Sequence, residues 1–146
     1  MPIITLKNTP GSGPLIDVYF TPPDSLADAL REAGQSVPLP VVVAALLDTG
    51  SAHTLIHPAI AHQLRCKSVD STHLRTATTG EAGQIRDIFE VGFGWGAPIV
   101  SPVTGCHRVI ASDLRPLGVS ALIGRNLLAR CQFVYNGPQD EFTLSF

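Results

Sequence analysis

Short runs of apolar residues, separated by residues that form turns, dominate this chain. Residues 3–6 and 15–20 have the length and the β-branched or alternating character of strands. Residues 41–47, with the sequence Val-Val-Val-Ala-Ala-Leu-Leu, are a continuous apolar run that is typical of a buried strand. The pattern therefore predicts a protein built largely from short strands.

A short helix is predicted between the second and third of these strands, at residues 25–33. Either Asp24 or Ser25 can cap its first turn, and Gly34 stands where a helix usually ends. Its predicted apolar stripe consists of Leu26, Ala29 and Leu30.

The rest of the chain predicts further short strands and two more helices. These are a helix at 57–64 with Pro58 in its first turn, a hairpin at 74–94 with its tip at 79–83, strands at 98–103 and 107–111, an apolar run at 120–124, a helix at 126–131, and a closing hairpin of 132–135 with 141–146. No repeat or linker divides the chain. We therefore predict one all-β domain over residues 1–146, with two or three short helices.

Composition and charge exclude several classes of protein. Of the 146 residues, 45% are hydrophobic and 15% are charged, which argues against disorder. The net charge of −2 gives no reason to expect a nucleic-acid partner. The apolar run at 41–47 is too short to cross a membrane, and the first residues lack the pattern of a signal peptide. The three cysteines fit free thiols, so we expect a soluble cytoplasmic protein.

The candidate chemistry begins where the apolar run ends, with Asp48-Thr49-Gly50-Ser51. A carboxylate at the end of a buried strand needs hydrogen-bond donors, because burying it without partners costs free energy. Thr49 and Ser51 offer hydroxyl groups, and Gly50 lets backbone N–H groups approach closely. The tripeptide alone also fits an ordinary turn, in which Asp48 bonds to the local backbone. The apolar strand before it favours a functional carboxylate.

A second segment, Ile123-Gly124-Arg125, places a glycine between an apolar run and a predicted helix. Combined with the earlier Asp-Thr-Gly, it resembles the signature of the retropepsin-like (retroviral-type) aspartic proteases. Residues 2–6 and 143–146 resemble that family's first and last strands. The resemblance implies a closed acid-protease β-barrel, in which Ile123, Gly124 and Arg125 support the catalytic loop.

The resemblance also implies roles for individual side chains. Asp48, Thr49 and Gly50 would form the catalytic loop, with Thr49 joining two copies of the loop across a two-fold axis. A peptide or protein substrate would bind in extended conformation under a flap. The implied substrate-binding residues are Ser51, Ala52, His53, Thr79, Gly80, Glu81, Ala82 and Gly83.

Three features depart from the family pattern. Ala52 stands where the retroviral motif usually carries a second Asp, which holds the substrate backbone and pairs with the Arg matching Arg125. Arg125 must therefore find another partner. Residues 21–37 and 136–140 look like insertions, and the glycine-rich flap tip is reduced to Gly80 and Gly83.

The chemistry of this class requires two carboxylates, one as base and one as acid. No other Asp in the chain is followed by Thr-Gly or Ser-Gly, so the second carboxylate must be Asp48 of another copy. We therefore expect a homodimer that activates a water molecule and needs no cofactor. Two adjacent carboxyl groups share one proton, as they do in aspartic proteases generally, and Ser51 could donate to them, so an acidic optimum is expected. The terminal strands at 3–6 and 142–146, taken as unpaired within one chain, would form the interface.

Two alternatives stay open. A retropepsin-like domain could serve as a dimerisation or peptide-binding module without turnover. A small-molecule or metal-binding barrel could use His53, His57 and His62, although Pro58 interrupts the helical spacing and no Glu completes a metalloprotease motif. We expect no bound metal.

Overall fold

The computed structural model describes residues 2–75, 83–98 and 105–146. Strands make up most of the regular structure in these ranges, and the helices are short. In chain order the elements are β1 (Ile3–Lys7), β2 (Leu15–Thr21), α1 (Asp24–Glu32), β3 (Val41–Leu47), β4 (Leu55–Ile56), α2 (Pro58–Gln63), β5 (Asp70–Leu74), β6 (Gln84–Trp95), β7 (Cys106–Ala111), a 3-10 turn (Arg115–Leu117), β8 (Ala121–Ile123), α3 (Arg125–Leu128), β9 (Gln132–Asn136) and β10 (Glu141–Ser145).

Six strands close into a barrel in the order β2-β3-β8-β4-β7-β6, and pairing between β2 and β6 completes the ring. The pairs β3–β8 and β4–β7 are parallel, and the other pairs are antiparallel. Each strand of the ring has a neighbour on both sides, which removes free sheet edges. The prediction of an all-β closed barrel with short helices is confirmed.

The two ends of the chain meet in a separate antiparallel sheet of order β1-β10-β9. Phe142 and Leu144 on β10 are fully buried and join the main core. The expectation that residues 3–6 and 142–146 are unpaired within one chain is therefore wrong, because Ile4 pairs with Leu144 of the same chain. Among the described strands, only the outer edges of β1 and β9 lack a neighbour in this sheet.

The strand β3 is less buried than its continuous apolar sequence predicts. Ala45 and Leu47 are buried, but the side chain of Val42 is 49% exposed. The cause is the alternation of side chains along a strand, because Val43, Ala45 and Leu47 face the core while Val42 and Ala44 face outward. The strand β8 pairs only with Ala45 to Leu47. The first half of β3 is therefore covered on one edge by β2 alone.

The helix α1 ends as predicted, but it begins differently. Gly34 adopts a φ of +70°, and the N–H of Gln35 donates to the carbonyl of Leu30. The N-cap residue is Pro23, which offers no side-chain hydrogen bond, so capping by Asp24 or Ser25 is wrong. The buried residues are Ala27 and Leu30, whereas Ala29 is exposed.

The helix α2 spans Pro58–Gln63, within the predicted range 57–64, and the Nδ1 atom of His57 caps it by accepting from the N–H of Ala59 at 3.2 Å. The helix α3 is shorter than the predicted 126–131. Its two leucines at 127 and 128 are buried, and the chain then turns into β9.

The predicted hairpin exists, but its first arm is β5, so Leu74 ends that arm instead of beginning it. The predicted tip residues Thr79, Gly80, Glu81 and Ala82 lie outside the described residues, as does most of the strand predicted at 98–103. No helix in the described ranges is both long and apolar enough to cross a membrane.

Candidate active site

Asp48 follows the buried end of β3 and is held by backbone hydrogen bonds. Its N–H donates to the carbonyl of Ile123 at 2.9 Å, which ties the loop to β8. Its Oδ1 atom accepts from the N–H of Gly50 at 2.8 Å. A Cβ at position 50 would lie 3.0 Å from that oxygen, so glycine allows the close approach. Asp48 is half-buried. Its carboxylate accepts a hydrogen bond within the turn and also lines a cleft.

The hydroxyl of Ser51 does not donate a hydrogen bond to the carboxylate of Asp48, contrary to the prediction. It donates to the carbonyl of His53 at 2.6 Å, within the same loop. The expected hydroxyl donor to Asp48 is therefore committed elsewhere, and Ser51 shapes the loop instead.

Gly124 lies directly against the loop that carries Asp48. A Cβ at this position would lie 2.2 Å from the carbonyl oxygen of His53 and 2.9 Å from that of Ser51. Real Cβ atoms are not found so close to backbone oxygen, so only glycine fits here. The N–H of Arg125 then donates to the carbonyl of Ser51 at 2.8 Å. The Ile-Gly-Arg segment therefore supports the loop through backbone contacts.

Because position 52 is an alanine, the side chain of Arg125 binds a partner other than a carboxylate there. Its Nη1 atom donates to the backbone carbonyl of Thr49 at 2.8 Å. With Ala52 in place of a carboxylate, the guanidinium binds the loop backbone directly. Thr49 itself is exposed.

Thr54 and Asn126 are site residues that the sequence reasoning missed. The hydroxyl of Thr54 is fully buried, donates to Oδ1 of Asn126 at 2.8 Å and accepts from the N–H of Gly124 at 3.1 Å. The Nδ2 atom of Asn126 reaches the carbonyl of Arg108 at 3.3 Å. The one available signal was a polar residue directly before the buried pair Leu55-Ile56.

Asp48, Gly50 and Ser51 line an open cleft of about 710 Å³. Its far side is the base of the β5–β6 hairpin, which contributes Leu74, Gln84 and Arg86. The remaining lining residues are Leu55, Arg75, Ser112, Asp113, Leu114, Pro116, Leu117 and Leu122.

The cleft does not include every residue predicted for it. Ala52 and His53 are exposed beside the loop and do not line the cleft, and Gly83 precedes its edge at Gln84. Among nearby apolar residues, Leu117 lines the cleft, but Leu46 and Ile85 do not. Ile85 is 65% exposed because alternate side chains of a strand point to opposite faces, and its neighbours at 84 and 86 face the cleft.

The second carboxylate on the cleft wall, Asp113, is already paired. Its two oxygens accept from Nε and Nη2 of Arg115, and the shortest of these contacts is 2.6 Å between Nη2 and Oδ2. The Nε2 atom of His57 lies 3.8 Å from Oδ1 of Asp113. Hydrogen bonds from the Arg115 side chain, and then from its backbone N–H, lower the pKa of Asp113 to about 2. Asp113 is therefore a charged structural partner and differs from Asp48 in role.

Other candidate groups lie away from this cleft. Burial raises the pKa of the Cys66 thiol to about 11, so it is protonated at neutral pH and unsuited to act as a nucleophile. Within the described ranges, no group of three or more His, Cys, Asp or Glu could hold a metal ion.

A closed six-stranded barrel, a Gly-containing support segment and an Asp-Thr-Gly loop on an open cleft together define the retropepsin-like aspartic protease fold. The fold is similar to that of a retropepsin-like aspartic protease from Rickettsia conorii, with a TM-score of 0.61. The match covers 99% of this chain and 91% of that chain at 16% sequence identity. No protein-family model and no curated protein sequence matches the chain. At this identity the likeness establishes the fold.

Proposed function

We propose that the protein is an aspartic endopeptidase that works as a homodimer, with one Asp48 from each chain. The observation that carries the proposal is the setting of Asp48. It follows a buried strand, its loop is fixed by Ile123 and Arg125, and its carboxylate faces a cleft with room for a peptide segment. The protein with the similar fold is itself described as an aspartic protease.

The reaction follows from two carboxyl groups that share one proton. The ionised carboxylate takes a proton from water while the oxygen of that water attacks the peptide carbonyl carbon. The protonated carboxyl group donates a hydrogen bond to the carbonyl oxygen as negative charge develops there. A proton then passes to the peptide nitrogen, and the C–N bond breaks.

The terminal sheet provides surface for the second copy. The outer edges of β1 and β9 have no neighbour among the described strands, and unpaired edges readily accept another chain. Ile3 is 66% exposed and Tyr135 is 57% exposed on these strands. Since β10 is already paired on both sides, we propose that the outer edges of this sheet carry the contact between protomers.

The substrate would lie between the Asp48 loop and the β5–β6 hairpin. An extended peptide can pair with strand-like backbone, and a hairpin can close over it as a flap. Leucines that line the same cleft, at 55, 114, 117 and 122, offer an apolar surface for a substrate side chain.

The direct test is hydrolysis of a peptide library between pH 4 and 7 by the wild type and by Asp48→Asn. We expect the variant to lose activity on the order of a thousandfold or more, because in its homodimer both carboxylates of the pair are replaced by amides. Asp28→Asn is the matched control, since Asp28 is exposed on α1, outside the cleft lining, and should retain activity.

The same assay distinguishes the alternatives. A peptide-binding module would bind library members without cleaving any of them, and Asp48→Asn would change little. Cleavage that survives Asp48→Asn would also contradict the proposal, because another group would then be the catalyst.

A further inference from the structure

Two arginines on the hairpin side of the cleft have no acidic partner in the part of the chain that the structure describes. Arg75 directly follows β5, and Arg86 lies on β6. Both line the same cleft as Asp48. The ion pairs among the described residues involve other cations and leave both of these guanidinium groups without a carboxylate.

Arg86 is the more constrained of the two. Its Nη2 atom donates to Oε1 of Gln84, which is also on the cleft wall. Its Nε atom is buried and has no hydrogen-bond partner within the described ranges. A buried donor of a charged group that stays unpaired costs free energy, and a carboxylate could satisfy it with two parallel hydrogen bonds.

Among the described residues that line the cleft, the other charges do not balance these arginines. Asp113 is held by Arg115, and its hydrogen bonds are spent on that guanidinium. In the proposed dimer, the two Asp48 carboxyl groups would together carry one negative charge, whereas the two chains would each contribute Arg75 and Arg86. Leucines also line this cleft, and an ion pair that forms beside apolar side chains is stronger than one in bulk water.

We infer that the cleft selects peptides that carry a glutamate or aspartate side chain, which the guanidinium of Arg86 binds, while Arg75 adds positive potential. This inference deepens the proposed endopeptidase function and rests on it for the identity of the ligand as a peptide. An acidic side chain bound at Arg86 would lie in the same cavity as the apolar leucine wall, so the preferred peptide combines one acidic and one apolar side chain.

The test measures binding and needs no turnover. Peptides with a single Glu are compared with the matching Gln peptides, with the residue moved along the sequence, on protein carrying Asp48→Asn. At about pH 6 we expect the Glu peptide to bind about tenfold more tightly at one position, as expected for a hydrogen bond to a charged group. The preference should fall at about pH 3.5, where a free Glu side chain is mostly protonated.

Arginine variants in the same background assign the effect. Arg86→Gln should abolish the preference, and Arg86→Glu should reverse it in favour of a Lys peptide. Arg31→Gln, an exposed arginine on α1 that does not line the cleft, should retain the full preference. Circular dichroism checks that each variant is folded.

Equal binding of Glu and Gln peptides at every position would overturn the inference, and this comparison needs no arginine variant. A preference that survives Arg86→Gln, or that only Arg75→Gln removes, would also overturn it. Failure of the proposed function looks different, because the wild type would then bind acidic peptides without cleaving them. Cleavage of peptides with no acidic preference would leave the proposed function intact and reject the inference alone.

Discussion

The loop that carries Asp48 is held in place mainly by hydrogen bonds to its backbone and to that of the neighbouring strand. The carbonyls of Ile123, Ser51 and Thr49 each receive one hydrogen bond that joins the loop to the neighbouring strand and helix. These bonds fix the loop while leaving the carboxylate open to the cleft. A site built in this way depends on a few small or buried polar residues, and those residues are where substitutions should act most strongly.

Thr54 is the first of these residues. Replacing it with Val keeps the shape but leaves the N–H of Gly124 and Oδ1 of Asn126 without their buried partner. We expect Thr54→Val to lower the free energy of unfolding by about 1–3 kcal/mol, measured by urea denaturation. The matched control is Thr5→Val, which removes an exposed hydroxyl that bonds Thr143. A Thr54→Val effect no larger than that of the control would show that the buried hydroxyl does not matter.

Asp113 predicts a pH dependence. Its pKa is lowered from 3.8 to about 2 in the folded protein, so the unfolded chain binds the proton more readily. The pair with Arg115 therefore stabilises the protein above about pH 4, and the contribution is lost as the pH falls from about 4 to 2. We expect Asp113→Asn and Arg115→Gln each to lower Tm at pH 6, with a difference from wild type that shrinks toward pH 2. A difference that is constant over this range would contradict the assignment.

At the scale of elements, the site exists because β3 and β8 pair in parallel. Leu47 is opposite Ile123, so the residues that follow them, Asp48 and Gly124, emerge at the same end of the barrel. The β4–β8 pairing then brings Thr54 beneath both loops. Neither contact is local in sequence, and each depends on strand order.

Much of the local structure was predictable, and the non-local structure was not. The periodicity of apolar residues identified β2, β6 and β10, and the breakers around α2 placed that helix correctly. The exposure of Val42 was not predictable, because a continuous apolar run does not show which alternate residues face outward. The direction in which the Ile85 side chain points was also not predictable. It depends on which alternate residues of β6 face the cleft, and a run of apolar residues does not fix that.

The contact between Gly124 and the Asp48 loop tests this account of the elements. Gly124→Ala forces a methyl group against the carbonyl of His53, so the loop and α3 must separate. We expect a loss of unfolding free energy of at least about 2 kcal/mol and a fall in peptide hydrolysis. Gly137→Ala is the control, because its methyl group would meet only an ordinary contact at 3.8 Å with Tyr135. Equal stability of the two variants would reject the contact as a constraint.

At the scale of the whole molecule, the barrel supplies one carboxylate loop and the terminal sheet offers free edges. The proposal of a second copy rests on the sequence, since one Asp-Thr-Gly supplies one candidate catalytic carboxylate per chain. The pairing of β1 with β10 inside one chain was not readable, because either partner, in the same chain or in another, satisfies the same strand pattern. Symmetry thus remains the central claim about this protein.

Mixed dimers test that claim most directly. Wild-type and Asp48→Asn chains are co-refolded in varying ratios at fixed total concentration, so that they assort at random, and native mass spectrometry verifies the mixed species. If each active site needs Asp48 from both chains, peptide hydrolysis falls with the square of the wild-type fraction, to about one quarter in an equal mixture. A linear decline, to about one half in an equal mixture, would show that one chain suffices and would contradict the account.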